Sequence, residues 1–181
     1  MSCKYDLIRQ HVYLSEALYV VCNHKVGLAF KSGRDKFIVP VKYNDIRFDK
    51  SYFIVKKGIN YGLYDINGNL LLPVRYSEIC VMRNTAVTHP DKYYFRVKVG
   101  SVFGAFDING QAILEPEYDY VEKIFDSFIV RKLNRYGLVS NVGERLLSPL
   151  FDDINISPDG RYCIIRKKAN RGYIQLLSIN Y

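Results

Sequence analysis

The chain has no run of 18 apolar residues, so no segment of it reads as a membrane-spanning helix. Its beginning, MSCKYDLIRQHVYLSE, has no apolar stretch of signal-peptide length. The chain as given therefore reads as soluble and cytoplasmic, and one already trimmed of a signal would read the same. The four cysteines, Cys3, Cys22, Cys80 and Cys163, stand far apart with no CxxC pair, and His11, His24 and His89 have no metal-ligand spacing. No metal site and no disulfide is expected, and the thiols read as small buried hydrophobes. GxSxG, HExxH and Gly-rich phosphate loops are all missing. These absences point away from an enzyme, and no cofactor is expected.

What is present suits pleated sheets. Of the 181 residues 49% are hydrophobic and 14% aromatic, with Tyr, Phe, Ile and Val prominent, a composition that favours strands over helices. The length fits a single domain, 1–181. The formal net charge of +8 favours an anionic partner: an acidic protein face, a phosphorylated surface or nucleic acid.

Internal repeats organise the chain. Residues 61–79, YGLYDINGNLLLPVRYSEI, match 103–121, FGAFDINGQAILEPEYDYV, and 136–154, YGLVSNVGERLLSPLFDDI. Residues 26–46 follow the same frame, and a shorter fifth copy begins at Arg171-Gly172-Tyr173. The anchors Gly27, Gly62, Gly104, Gly137 and Gly172 are 35, 42, 33 and 35 residues apart, so one insertion stands out, within ICVMRNTAVTHPDKYY. It is a candidate functional loop, with Arg83, His89, Asp91 and Tyr93 as contact candidates.

Each unit reads as about three strands, and no helix is expected. A β-rich run such as YFIVKK or SFIVRK precedes the anchor, the anchor segment forms a second strand, and a segment such as NLLLPV forms a third. Asn67-Gly68 and Asn109-Gly110, with Gly33 and Gly143 in the same place elsewhere, signal a two-residue type I′ hairpin. Pro40, Pro73, Pro116 and Pro149 should end the third strand or sit on a sheet edge, since proline donates no ladder hydrogen bond. A Tyr-x-x-Ile-like piece then leads on, and Tyr5 to Ile8 resembles it. The expected fold is all-β, about five tandem β-meander units of about 35 residues, in an open curved array or a closed propeller-like ring.

The pattern aromatic-Gly-Leu, Asp-x-x-Gly, aliphatics, Pro, Tyr-x-x-Ile resembles the WG-repeat (KWG-repeat) family of bacterial proteins along nearly the whole chain. The Trp for which that family is named is replaced here by Val26, Tyr61, Phe103, Tyr136 and Arg171. The resemblance implies a β-repeat interaction module with no catalytic residues, similar in some cases to immunity or accessory partners of secreted toxins.

The recurring Gly62, Gly104 and Gly137, with Pro73, Pro116 and Pro149, read as scaffold, as do Asp65, Asp107, Asn67 and Asn109 at turns. Asp45, Glu78, Asp119, Asp152 and Asp153 recur unit by unit and read as turn caps rather than as a catalytic pair. The sharpest candidate site is basic. Lys25, Lys56, Lys57, Arg96, Lys98, Arg131, Lys132, Arg135, Arg166, Lys167, Lys168 and Arg171 fall between the first strand and the anchor of successive units. Regular units would line these cations up as a stripe facing an acidic protein, or alternatively nucleic acid, with Tyr61, Phe103 and Tyr136 buried rather than stacked on bases.

Overall fold

The computed structural model describes residues 5–32, 37–83, 93–168 and 170–175. Within them 19 strands form five small antiparallel sheets and no helix occurs, so the tandem β-repeat architecture stands. The first sheet runs in the order β1 (Leu7–Gln10), β2 (Ala17–Cys22), β3 (Lys25–Phe30), β4 (Phe37–Tyr43), and the second in the order β5 (Asp45–Asp49), β6 (Tyr52–Lys57), β7 (Asn60–Asp65), β8 (Leu70–Tyr76). The third comprises β9 (Glu78–Arg83), β10 (Tyr93–Val99), β11 (Val102–Phe106) and β12 (Ala112–Tyr118). The fourth comprises β13 (Tyr120–Ile124), β14 (Ser127–Lys132), β15 (Arg135–Ser140) and β16 (Arg145–Phe151). Among the described residues the fifth has three strands, β17 (Asp153–Ile156), β18 (Tyr162–Lys167) and β19 (Asn170–Gln175). The chain divides into two compact units, Met1–Val81 and Met82–Tyr181, the division falling within β9.

The repeat thus has four strands rather than three. The Tyr-x-x-Ile piece is split: Tyr43 ends β4 while Ile46 lies in β5, and Tyr118 with Val121, and Phe151 with Ile154, do the same at the next sheets. Each sheet takes its first strand from the closing piece of the preceding repeat, which a short polar-flanked segment did not advertise as a strand.

The anchor glycines answer to one geometry. Opposite Gly62, the partner of Tyr61 is Tyr76 and that of Leu63 is Leu72, so β8 carries extra residues there, and the same shift recurs in β4, β12 and β16. The bulged strand leans onto the glycine: a Cβ on Gly27, Gly104 or Gly137 would stand 2.6–2.7 Å from the carbonyl oxygen of Val39, Leu114 or Leu147. Pro40, Pro73, Pro116 and Pro149 lie in these bulged segments, on the outermost strand of each sheet. Of the two places expected for them the edge is the one they take: they lie inside the strand rather than at its end, where the edge position and the bulge leave no ladder bond to be lost.

The Asn-Gly turns also differ from expectation. Gly68 and Gly110 take positive φ (90° and 79°) but Asn67 and Asn109 do not. The loop instead spans Asp65 to Gly68, with Gly68 N donating to Asp65 O and Asp65 N donating to Asn69 O. The Asp65 carboxylate accepts the amides of Asn67 (2.9 Å) and Asn69 (2.7 Å), and Asp107 does likewise for Asn109 and Gln111. Turns with two adjacent positive φ values occur at Asn23-His24 and Leu133-Asn134, on the other end of the sheets, and at Lys50-Ser51 between β5 and β6. Gly33 lies outside the described residues.

Cores form where successive sheets face each other. In the first unit Ala17, Leu28, Val39 and Tyr43 meet Phe53, Val55 and Tyr64. In the second, Tyr94, Ala105, Leu114 and Tyr118 meet Val121, Phe128, Val130 and Val139. The other face of the fourth sheet packs Ile129 and Leu138 on Ile154 and Cys163. Inner strands are therefore buried on both faces, which is why β14 reads SFIV without alternation; each fully buried side chain of this size contributes about 1.5–3 kcal/mol.

The cysteine reading needs correction at two positions, Cys22 and Cys80. Cys163 is buried, and burial pushes its thiol up to about 11. Cys80 is half-buried rather than buried, with its thiol donating to Glu78, and Cys22 is disulfide-bonded. Separation along a sequence says little about which side chains β-pairing brings together. Cys3 lies outside the described residues.

Candidate partner-binding surface

The residue after each closing aromatic clamps the end of the sheet that carries the cations. The amides of Asp6, Asn44, Asp119 and Asp152 donate to the carbonyls of Val21, Lys56, Arg131 and Arg166 at 2.7–2.9 Å. Three of their side chains then cap the next hairpin turn: Asp6 accepts Asn23 N, Asn44 accepts Gly58 N and Asp152 accepts Lys168 N. Turn capping by Asp152 is thus a direct observation, and in the first, second and fifth sheets the crossover and the hairpin tip are fixed as one edge.

Register places the predicted cations on that edge at equivalent positions. Lys56 stands across from Tyr61, Lys98 from Phe103, Arg131 from Tyr136 and Arg166 from Arg171, each one residue past the partner of the anchor glycine. Directly opposed residues share a face, so the cations cover the anchor rings: Lys56 Nζ is 5.6 Å from the Tyr61 centroid, Lys98 Nζ 5.1 Å from Phe103, with Arg96 also over Phe103. The guanidinium of Arg131 lies over both Tyr120 and Tyr136, at 5.7 and 5.9 Å. These rings are half-buried under charge.

The twelve cations are not equivalent in availability. Lys132 binds Glu117 at 2.7 Å, Arg131 lies 3.7 Å from Asp119, Arg166 lies 3.9 Å from Asp153, and Arg135 is paired with Asp152. Lys57, Lys167 and Lys168 are exposed and have no acidic partner among the described residues. Of the closing-piece acids, Asp152 caps a turn, Asp119, Asp152 and Asp153 stand in ion pairs, and Glu78 accepts from the Cys80 thiol. Of the insertion, Arg83 ends β9 and Tyr93 opens β10, while His89 and Asp91 lie outside the described residues.

Two polar features escaped the sequence reading. Glu117, a partner of Lys132, is held below the usual carboxylate range first by that hydrogen bond and then by Tyr118 and the nearby Arg145. Lys123 Nζ sits 4.5 Å over the Phe128 ring, and burial draws its ammonium down to about 8. Neither position has a sequence signal beyond a charge on a strand. Among the described residues no three His, Cys, Asp or Glu converge on a metal-sized site, and no helix is long and apolar enough to cross a membrane.

The repeated four-stranded meanders and their clamped basic edge define a tandem β-repeat protein. Residues 103–134 match the family described as WG containing repeat, the stretch from the third anchor to the fourth hairpin tip. No curated protein matches the chain. Among solved structures, Kluyveromyces lactis Hsv2 is similar at 11% identity and a TM-score of 0.36, over 96% of this chain and 60% of that one. The dihydro-heme d1 dehydrogenase NirN is similar at 12% and 0.35, over 90% and 42%, and a eukaryotic initiation factor at 11% and 0.40, over 88% and 47%. The chain spans less than two thirds of each, and likenesses this distant carry no functional inference.

Proposed function

We propose that this chain is a non-enzymatic protein-binding repeat module whose contact surface is the clamped basic edge, with an acidic protein face as its partner. The observation that carries the reading is the division of labour on that edge: Asp119, Asp152 and Asp153 serve as cap or ion-pair partners, while Lys57, Lys167 and Lys168 are exposed with no acidic partner among the described residues. Such charges raise association rates with an acidic surface, and affinity is supplied by a few anchors. The WG-repeat resemblance supports a bacterial setting, with an inhibitor or immunity-type role.

The test is capture of partners from a native lysate on the immobilised chain at low and at roughly 0.5 M salt, beside a variant with Lys56, Arg131 and Lys167 reversed to Glu. A stoichiometric protein held by the parent and lost by the variant is the expected result. Equal retention by both would remove the edge as the contact, and nuclease-sensitive material lost at high salt would put nucleic-acid binding first.

A further inference from the structure

In the first unit the seam between the first two sheets is closed by a pair of tyrosines. Tyr64 is buried, its ring stands edge-on to Tyr43 at 6.0 Å, and the two hydroxyls hydrogen-bond at 2.7 Å. The seam between the third and fourth sheets is built on the same register. Tyr118 takes the place of Tyr43, and Ile113 and Leu114 that of Ile38 and Val39. The turn glycine makes the same approach, since a Cβ on Gly68 would lie 2.8 Å from Ile38 O and one on Gly143 2.7 Å from Ile113 O. Two residues after the anchor glycine of the later sheet, Tyr64 is replaced by the smaller Val139, while in the facing sheet Ala105 stands where Leu28 does and Tyr94 where Ala17 does.

Beside Val139 lies a cavity of about 290 Å³, open to solvent, lined by Ile113, Leu114, Tyr118 and Val139. Its size is close to the lower end of the roughly 300–1,000 Å³ of small-ligand sites. The rim is polar: Glu115, Glu117 and Arg145 border it, and Glu117 and Arg145 act electrostatically on the Tyr118 hydroxyl. An apolar floor with a few convergent polar groups is the usual make-up of a ligand pocket.

We infer that this seam is a binding pocket for a tyrosine side chain presented by a partner protein, seated where Tyr64 sits in the first unit. The visiting ring lies edge-on to Tyr118, and its hydroxyl meets the Tyr118 and Arg145 groups as the Tyr64 hydroxyl meets Tyr43. The inference is independent of the basic edge, because none of the three unpaired lysines lines the cavity.

The experiment titrates N-acetyl-tyrosinamide into the isotope-labelled full chain, following the Leu114 methyl and Arg145 side-chain NMR signals, with N-acetyl-leucinamide as comparator. Saturable shifts in the millimolar range for the tyrosine probe, and weaker ones for leucine, are expected. Val139→Tyr, which fills the cavity from within, should keep a cooperative unfolding transition and lose the shifts. Val139→Leu, a smaller change for use should the tyrosine variant not fold, should weaken binding about tenfold. No saturable shift in the parent, equal response to both probes, or undiminished binding by whichever variant folds would overturn the inference.

Discussion

Gly104 faces the carbonyl oxygen of Leu114 so closely that a Cβ at that position would stand 2.6 Å from it. Gly172 holds the equivalent place in β19, yet among the described residues a Cβ there meets only the Ile165 side chain, at 3.6 Å. Gly104→Ala must push the bulged strand aside and should cost about 1–3 kcal/mol. Gly172→Ala should stay within about 0.5 kcal/mol of the parent. Urea unfolding midpoints at unchanged slope decide the matter, and equal losses at both sites would show that the bulge is not the reason for the glycine.

Asp107 performs its turn work through its side chain. The carboxylate accepts the amides of Asn109 at 2.9 Å and Gln111 at 2.7 Å, and neither donor has a partner in a ladder at that point. Asp107→Ala should cost about 1–2 kcal/mol, and Asp107→Asn, which keeps an acceptor oxygen, should recover most of it. Thermal unfolding of the three proteins side by side checks the order.

The scaffold was largely legible because its signals are local and repeated. The spacing of Gly62, Gly104 and Gly137, the Asp-x-x-Gly turns and the β-branched runs mark strands and loops wherever they occur. The first strand of each sheet was harder to see, since β5 and β13, DIRFD and YVEKI, are short and polar-flanked and owe their pairing to tertiary context. The turn type was misread at Asn67-Gly68 because a dipeptide does not disclose whether the preceding Asp closes the loop. The candidate site was legible as a set of cations, but not the sorting into paired and unpaired, because the partner of Lys132 is Glu117, 15 residues away on another strand. The Val139 cavity is invisible without the register that aligns it with Tyr64.

Lys123 should make stability depend on pH in the alkaline range. Burial lowers its pKa from the ordinary 10.5 to about 8, against a weaker opposing pull from Asp126. Between those values the unfolded chain holds a proton that the folded chain lacks, so this group makes the fold more stable as pH rises from about 8 to 10.5. Below about 8 the full cost of burying the charge is present. Lys123→Met should therefore stabilise the protein at pH 7, by about 1–3 kcal/mol, and the advantage should shrink as pH approaches 10.5. Denaturant titrations of parent and variant at pH 7, 8.5 and 10 give the difference directly. A gap that widened with pH would contradict the buried ammonium.

The two kinds of lysine on the basic edge can be separated by charge reversal. Lys167 has no acidic partner among the described residues, so Lys167→Glu costs the fold little, within about 0.5 kcal/mol. Lys132→Glu instead sets a second carboxylate against Glu117, now 2.7 Å from the ammonium, and should destabilise the fourth sheet measurably. If the edge recruits acidic surfaces, the order in binding is the reverse of that in stability. A fluorescent polyglutamate peptide should bind the Lys57→Glu, Lys167→Glu double variant about tenfold more weakly than the parent at low salt, with the difference fading as salt rises. In Lys132→Glu the lost charge was already neutralised by its partner, so the change in binding should be smaller despite the larger loss of stability. Equal binding by the parent and the double variant at low salt would mean that these exposed lysines only solvate the hairpin tips and shield strand edges, and that any partner is held elsewhere on the repeat.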